Sequence, residues 1–162
     1  MKNTQELSDI NIDDIPVDEL LNLDNQLCFA LYVCSKEIIK KYKPLLAPLG
    51  LTYTGYITLM ALWKTDNISV TELGKKLYLD SGTLTPLLKK LESAGFVMRK
   101  RSVTDERNVY ISLTPKGIAL KEKAATVPRD MACSVFSSNK ISTSQVKMID
   151  KLHELMGKLC DS

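Results

Sequence analysis

Two groups of residues in this 162-residue chain are of types that do chemistry. The first is thiol and phenol. Cys28, Cys34, Cys133 and Cys160 stand at wide spacings, and Tyr32, Tyr42 and Tyr53 follow the first of them. A thiolate is a nucleophile toward peroxides and disulfides, and a phenol stabilises it by donating a hydrogen bond. With no C-x-x-C pair and a single His, the thiols do not read as a zinc site, and neither metal nor cofactor is expected. Spacing alone leaves Cys28 either a packed apolar thiol or a reactive one. The second group is hydroxylic and basic. Ser81, Thr83 and Thr85 precede Lys89 and Lys90, then come Arg99 and Arg101, then Asp105 and Arg107. Short hydroxyls at a helix start and cations further on suit phosphate oxygens and base edges.

The stretch from Leu79 to Gly117 carries the pattern that would position this second group. Leu84, Leu87, Leu88 and Leu91 repeat at helical spacing and predict a buried face. Thr85, Lys89 and Glu92 then fall on the opposite side. Pro86 is deeper than the first turn and predicts an irregular start, and Gly95 is the expected stop. Val109, Ile111 and Leu113 alternate with Tyr110 and Ser112, the mark of a half-buried strand, with Ser102 to Asn108 as the turn before it. An Arg at that tip, Arg107, fits a narrow minor groove, and Asp105 can hold its guanidinium or that of Arg101. Helix, hairpin and helix in this order are what a winged helix-turn-helix needs to dock on DNA.

The remaining elements surround this module. Residues 1–19 lack a clear period, hold Pro16 and read as a mobile acidic tail. Apolar residues from Leu20 to Leu46 predict one long helix, ended by Ala47-Pro48-Leu49-Gly50. Thr54 is read as the cap of a helix over Ile57 to Trp63. Ser69-Val70-Thr71-Glu72 is a capping box for a short helix to Leu77, and Asp80 or Ser81 opens the next. Thr114-Pro115 starts a fifth helix with a bend expected at Pro128. Thr143 or Ser144 starts a sixth, striped by Val146, Ile149, Leu152, Met156 and Leu159. The expected fold is mostly α with a small β-hairpin wing: residues 49–113 form the DNA-binding region, and 20–48 with 114–162 form helical dimerisation elements, one intertwined domain. Packing within a single monomer is the alternative use for those outer helices.

Charge points the same way. The net charge of +3 conceals one Lys against seven acids over residues 1–27, and five cations against Glu92 over residues 86–102. A local basic patch on a nearly neutral chain suits a polyanion. The longest central apolar run, Ile57 to Trp63, is too short to span a bilayer. Acidic, polar residues follow Met1, so neither a secretory signal nor a membrane partner is expected, and the cytoplasm is the expected location.

The segment LDSGTLTPLLKKLESAGFVMRKR, with DER and ISLTPKG after it, resembles the DNA-binding core of the MarR family of dimeric winged-helix regulators. LDNQLCFALY (Leu23 to Tyr32), YKPLL (Tyr42 to Leu46) and LGLTYTGY (Leu49 to Tyr56) resemble its organic-hydroperoxide-sensing branch, OhrR. The resemblance runs from about Leu20 to Val135. It implies a transcriptional repressor, not an enzyme, that binds a pseudo-palindromic double-stranded operator as a homodimer and takes an organic hydroperoxide as inducer. It places Cys28 at the peroxide-sensing position and Tyr42 and Tyr53 at those of the phenols that hydrogen-bond its sulfur. It also sets Cys133, 105 positions later, where two-cysteine members carry a resolving thiol, which implies a Cys28–Cys133 disulfide between subunits. Reaction with a small cellular thiol is the alternative.

Geometry adds a constraint to what the resemblance implies. Tyr42 is fourteen residues after Cys28, about 21 Å along a helix at ~1.5 Å per residue. A bond between them therefore joins two subunits with antiparallel helices, and Tyr32, one turn from Cys28, is the phenol that serves within a subunit. Cys34 faces elsewhere on the helix. Cys34 and Cys160 read as bystanders, and His153 and Trp63 as packing or surface residues. Two other functions remain in view: a regulator that binds a small aromatic ligand with inert cysteines, and a thiol peroxidase.

Overall fold

Side-chain caps open several of the helical elements. The fold is that of a computed structural model, which describes residues 11–102, 108–137, 140 and 142–160. The chain forms two units, Met1–Lys40 and Lys41–Ser162.

In the first unit the described part of the acidic segment is a series of short turns. A 3-10 turn at Ile12–Asp14 is capped by the Asn11 side chain, helix α1 spans Val17–Leu20, and a second 3-10 turn at Leu23–Asn25 is capped by Asn22. The long helix, α2, spans Leu27–Leu46. It starts one residue after Gln26, not at Leu20 as the apolar pattern suggests. Asn and Asp side chains offer the backbone local partners that compete with helix, and here Asn25 and Gln26 also donate to the carbonyls of Glu19 and Leu20.

In the second unit a 3-10 turn at Ala47–Leu49 ends on Gly50, whose φ of 69° is the left-handed stop the sequence indicates. Helix α3 spans Tyr53–Lys64, and its cap is Thr52, which accepts from the Gly55 N–H at 3.2 Å; Thr54 is inside the helix. Helix α4, Val70–Leu77, begins with the capping box as read: Ser69 Oγ accepts from Glu72 N at 3.1 Å, and Glu72 Oε2 accepts from Ser69 N at 3.0 Å. Helix α5, Ser81–Ser93, is capped by Asp80 and accommodates Pro86 inside its early turns.

The wing is a sheet of three strands. Strands β2, Val97–Arg101, and β3, Val109–Leu113, pair antiparallel with Arg99 opposite Ile111. Strand β1, Ile68–Ser69, joins the other edge of β3 with Ile68 also opposite Ile111. Two residues are too few to show a period, so this strand has no signature of its own.

Leu84, Leu87, Leu88 and Leu91 of α5 are buried, as their spacing requires, beside Leu59, Leu62, Leu73, Val97 and Ile111. Helix α6, Pro115–Ala124, starts on the Thr114 cap with Pro115 in its first turn. Helix α7, Val127–Phe136, is separate from it: the chain breaks at Ala125-Thr126 and Pro128 falls inside the next first turn, where proline is tolerated. Helix α8 spans Thr143–Cys160. Its stripe of Val146, Ile149, Leu152, Met156 and Leu159 is exposed. Among the described residues no single helix is long and apolar enough to cross a membrane.

Candidate functional site

Burying four leucines on one face of α5 turns its polar residues outward. Ser81, Thr83, Thr85, Lys89 and Lys90 are all exposed. The helix N-terminus is already occupied: the Asp80 carboxylate accepts from Thr83 N and from Thr83 Oγ1, each at 2.9 Å. These hydrogen bonds hold the Asp80 carboxyl below the ordinary carboxylate range. Thr83 therefore spends its proton within the protein and retains only acceptor capacity. Thr85 keeps an open hydroxyl and shares a hollow of about 240 Å³ with Thr71 and Arg99.

The cations of β2 differ from one another. Arg99 is clamped by Glu92 of α5. Its Nη2 lies 2.6 Å and its Nε 2.7 Å from Glu92 Oε2, and its backbone N–H donates to Oε1 at 3.3 Å. The guanidinium holds the Glu92 carboxyl below its usual value. Arg101, two residues on and on the same strand face, is exposed. Asp105 and Arg107 lie outside the described residues. Lys75 and Lys76, exposed in the last turn of α4, add two cations that were not singled out from sequence. Their signal was a Lys pair at a helix C-terminus, which reads equally as a complement to the helix dipole.

The four cysteines are all free and exposed. Cys28 sits in the first turn of α2 in the first unit, with Tyr32, also exposed, one turn on. The Lys36 ammonium lies 5.8 Å from the centre of the Tyr32 ring. Cys34 follows on the same helix. Cys133 is on α7 in the second unit, one residue before Ser134, whose carbonyl accepts from Lys41 Nζ at 3.4 Å. Cys160, at the end of α8, lines a groove with residues of α4 and α5. Among the described residues no group of three His, Cys, Asp or Glu side chains gathers as a metal site would.

Within the second unit Tyr42 and Tyr53 are brought together, their ring centres 4.9 Å apart. Tyr42 also packs at 6.1 Å against Tyr56, which meets the edge of Trp63 at 6.3 Å. Desolvation, then the neighbouring Tyr53, pushes the Tyr42 hydroxyl above its ordinary value, so it remains a proton donor at any physiological pH. Tyr56, buried, went unremarked in the sequence although it lies one turn after Tyr53. Trp63 is a packing residue: its Nε1 donates to the Gly117 carbonyl at 2.9 Å. His153 is exposed.

Comparison with known proteins gives the family to which this fold belongs. The family model for SarA/Rot transcriptional regulators matches residues 40–124. The organic hydroperoxide resistance transcriptional regulator of Bacillus subtilis is 54% identical over 108 residues, covering 67% of this chain and 74% of that protein. The reduced form of AbfR bound to DNA is 31% identical with a TM-score of 0.72, covering 88% of this chain and 98% of that one. Disulfide-formed AbfR, at the same 31% identity, superposes with a TM-score of 0.57 over 89% of this chain and 93% of that one. With the family model spanning more than half of its length and a winged helix-turn-helix at its centre, the chain belongs to the MarR/SarA family of winged-helix transcriptional regulators.

Proposed function

We propose that this regulator is a homodimeric repressor in the cytoplasm that binds an operator through α5 and the wing and releases it when an organic hydroperoxide oxidises Cys28. The observation that carries the sensing half is the likeness to a hydroperoxide regulator over a chain that places Cys28 in the first turn of α2, one turn before Tyr32. All four thiols are exposed in the single chain, so exposure does not separate them; Cys28 is set apart by its place beside Tyr32 in a chain 54% identical to an organic hydroperoxide resistance regulator. DNA binding is supported by the outward hydroxyls and lysines of α5 beside Arg101, and by the DNA-bound form of AbfR. The dimer is supported by apolar surface left uncovered on single elements, with Leu27, Ile38 and Ile39 on α2 and the stripe on α8.

The chemistry balances within the protein and its inducer. The Cys28 thiolate attacks the outer peroxide oxygen; an S–O bond forms, the O–O bond breaks, and the alkoxide leaves as the alcohol by taking up the proton the thiol released on ionising. Sulfur is oxidised to sulfenic acid and the peroxide is reduced. The Cys133 thiol of the partner subunit then attacks that sulfur, an S–S bond forms, and water leaves. Tyr42 and Tyr53 supply hydrogen bonds to the thiolate across the dimer. Closing the disulfide shifts the helices and takes the paired α5 helices out of register with successive major grooves. Operator binding before and after one equivalent of cumene hydroperoxide tests the proposal: wild type loses the operator, and Cys28→Ser keeps it. An aromatic-ligand regulator with inert thiols gives no such difference.

A further inference from the structure

Tyr78 has a conformation and an exposure that both run against its residue type. It closes α4 at φ 54° and ψ 40°, with its N–H directed to the carbonyls of Gly74 and Lys75. A β-carbon disfavours that left-handed region, which glycine occupies freely. The turn cannot open to relieve it, because it is pressed onto α4: a β-carbon on Gly74 would lie 2.9 Å from the Leu79 carbonyl oxygen. Nor does the ring compensate by packing, since Tyr78 is 62% exposed. Asn67 and Ser137 share this backbone region, but Tyr78 alone of the three combines it with a large exposed ring, which turns attention to what that side chain reaches.

What it reaches is a groove of about 550 Å³ between α4 and the start of α5, with Cys160 at the end of α8 forming part of its wall. Thr71, Lys75 and Ser81 line it along with Tyr78, over apolar Leu79 and Leu84. Asp80 lines it too, but its carboxylate is committed to Thr83. The wall thus offers an ammonium, a phenol hydroxyl and two short hydroxyls, together with a flat apolar ring. That set matches a deoxyribose-phosphate unit, with an anion for the donors and a sugar face for the ring.

We propose that Tyr78 and Lys75 together grip one deoxyribose-phosphate unit of the strand flanking α5, fixing the register in which that helix enters the groove. The inference rests on the reading of α5 as the recognition helix. Such a contact positions the protein and carries no base preference. Lys75 supplies the charge, and Tyr78 supplies an uncharged hydrogen bond and a sugar contact.

The test uses the full-length reduced protein and a duplex that wild type selects from a random library, with Tyr78→Gly, Tyr78→Phe and Lys75→Gln compared by fluorescence anisotropy across salt and by thermal melting. Tyr78→Gly, relieved of strain, melts no lower than wild type, yet binds about tenfold more weakly, the scale of one lost hydrogen bond to a charged group. Tyr78→Phe falls between the two. Both keep the wild-type salt dependence, whereas Lys75→Gln flattens the log–log slope by about one. Wild-type affinity in Tyr78→Gly would overturn the proposal while leaving α5 as the recognition helix. Failure of the wild-type protein to select any duplex would overturn the reading beneath it.

Discussion

Glu92 holds Arg99 by three contacts, two from the guanidinium to Oε2 at 2.6 and 2.7 Å and one from the backbone N–H to Oε1 at 3.3 Å. The pair ties the end of α5 to the first long strand of the wing. It also cancels, at close range, one of the charges the sequence assigns to DNA binding.

Arg99 and Arg101 are therefore not equivalent. Counter-ion release scales with the phosphates a protein neutralises. Arg101→Ala is expected to flatten the log–log salt dependence of operator binding by about one, and Arg99→Ala by distinctly less. Glu92→Gln, which unmasks Arg99, is expected to steepen it. Anisotropy titrations between low and moderate salt measure all three.

Arg107, which the sequence assigns to the turn of the wing and which lies outside the described residues, is expected to behave as Arg101 does. Arg107→Ala should weaken binding and reduce the salt slope by about one if it neutralises one phosphate-like contact. An unchanged slope would remove the wing tip from the interface.

Acid should lower the stability of the DNA-binding module. Glu72, Asp80 and Glu92 all have carboxyls held below their ordinary values: the first by hydrogen bonds from Ser69, the second by those from Thr83, and the third chiefly by the side-chain hydrogen bond from Arg99. A carboxyl with a depressed folded-state pKa contributes stability that is present above its unfolded value and is lost as pH falls through the folded one. Melting temperature is expected to fall on acidification below the ordinary carboxylate range. Ser69→Ala, which removes the cap of α4, should lower it at neutral pH and reduce the part of the acid-dependent fall that belongs to Glu72.

The local features of this fold were open to reading because their causes are local. The Ser69 capping box, Thr114-Pro115 and the leucine spacing of α5 each lie within about two helical turns. The misread features depend on competition or distance. Thr52 and Thr54 carry the same hydroxyl, and only the backbone path decides which one caps α3. Strand β1 exists because Ile68 meets Ile111, 43 residues later. The Glu92–Arg99 clamp forms across the turn at Gly95, so the sequence displays two charges and not their cancellation. Cys28 is the instructive case. Its spacing is compatible with packing, its exposure is shared by the three other thiols, and its candidacy came from resemblance.

The resolving step has its own readout. After oxidation with one equivalent of hydroperoxide, non-reducing electrophoresis is expected to show a covalent dimer, and Cys133→Ser to abolish it. A dimer band that persists in Cys133→Ser would move the role to Cys34 or Cys160, both exposed. Loss of operator binding with no dimer band would point to a small cellular thiol.

The central claim is that the state of one sulfur sets the affinity of two α5 helices for DNA. The most direct measurement is operator affinity of wild type and Cys28→Ser, each before and after one equivalent of cumene hydroperoxide, with dithiothreitol added at the end. The account predicts that wild type loses the operator on oxidation and regains it on reduction, while Cys28→Ser binds throughout. Equal loss in both proteins would contradict it.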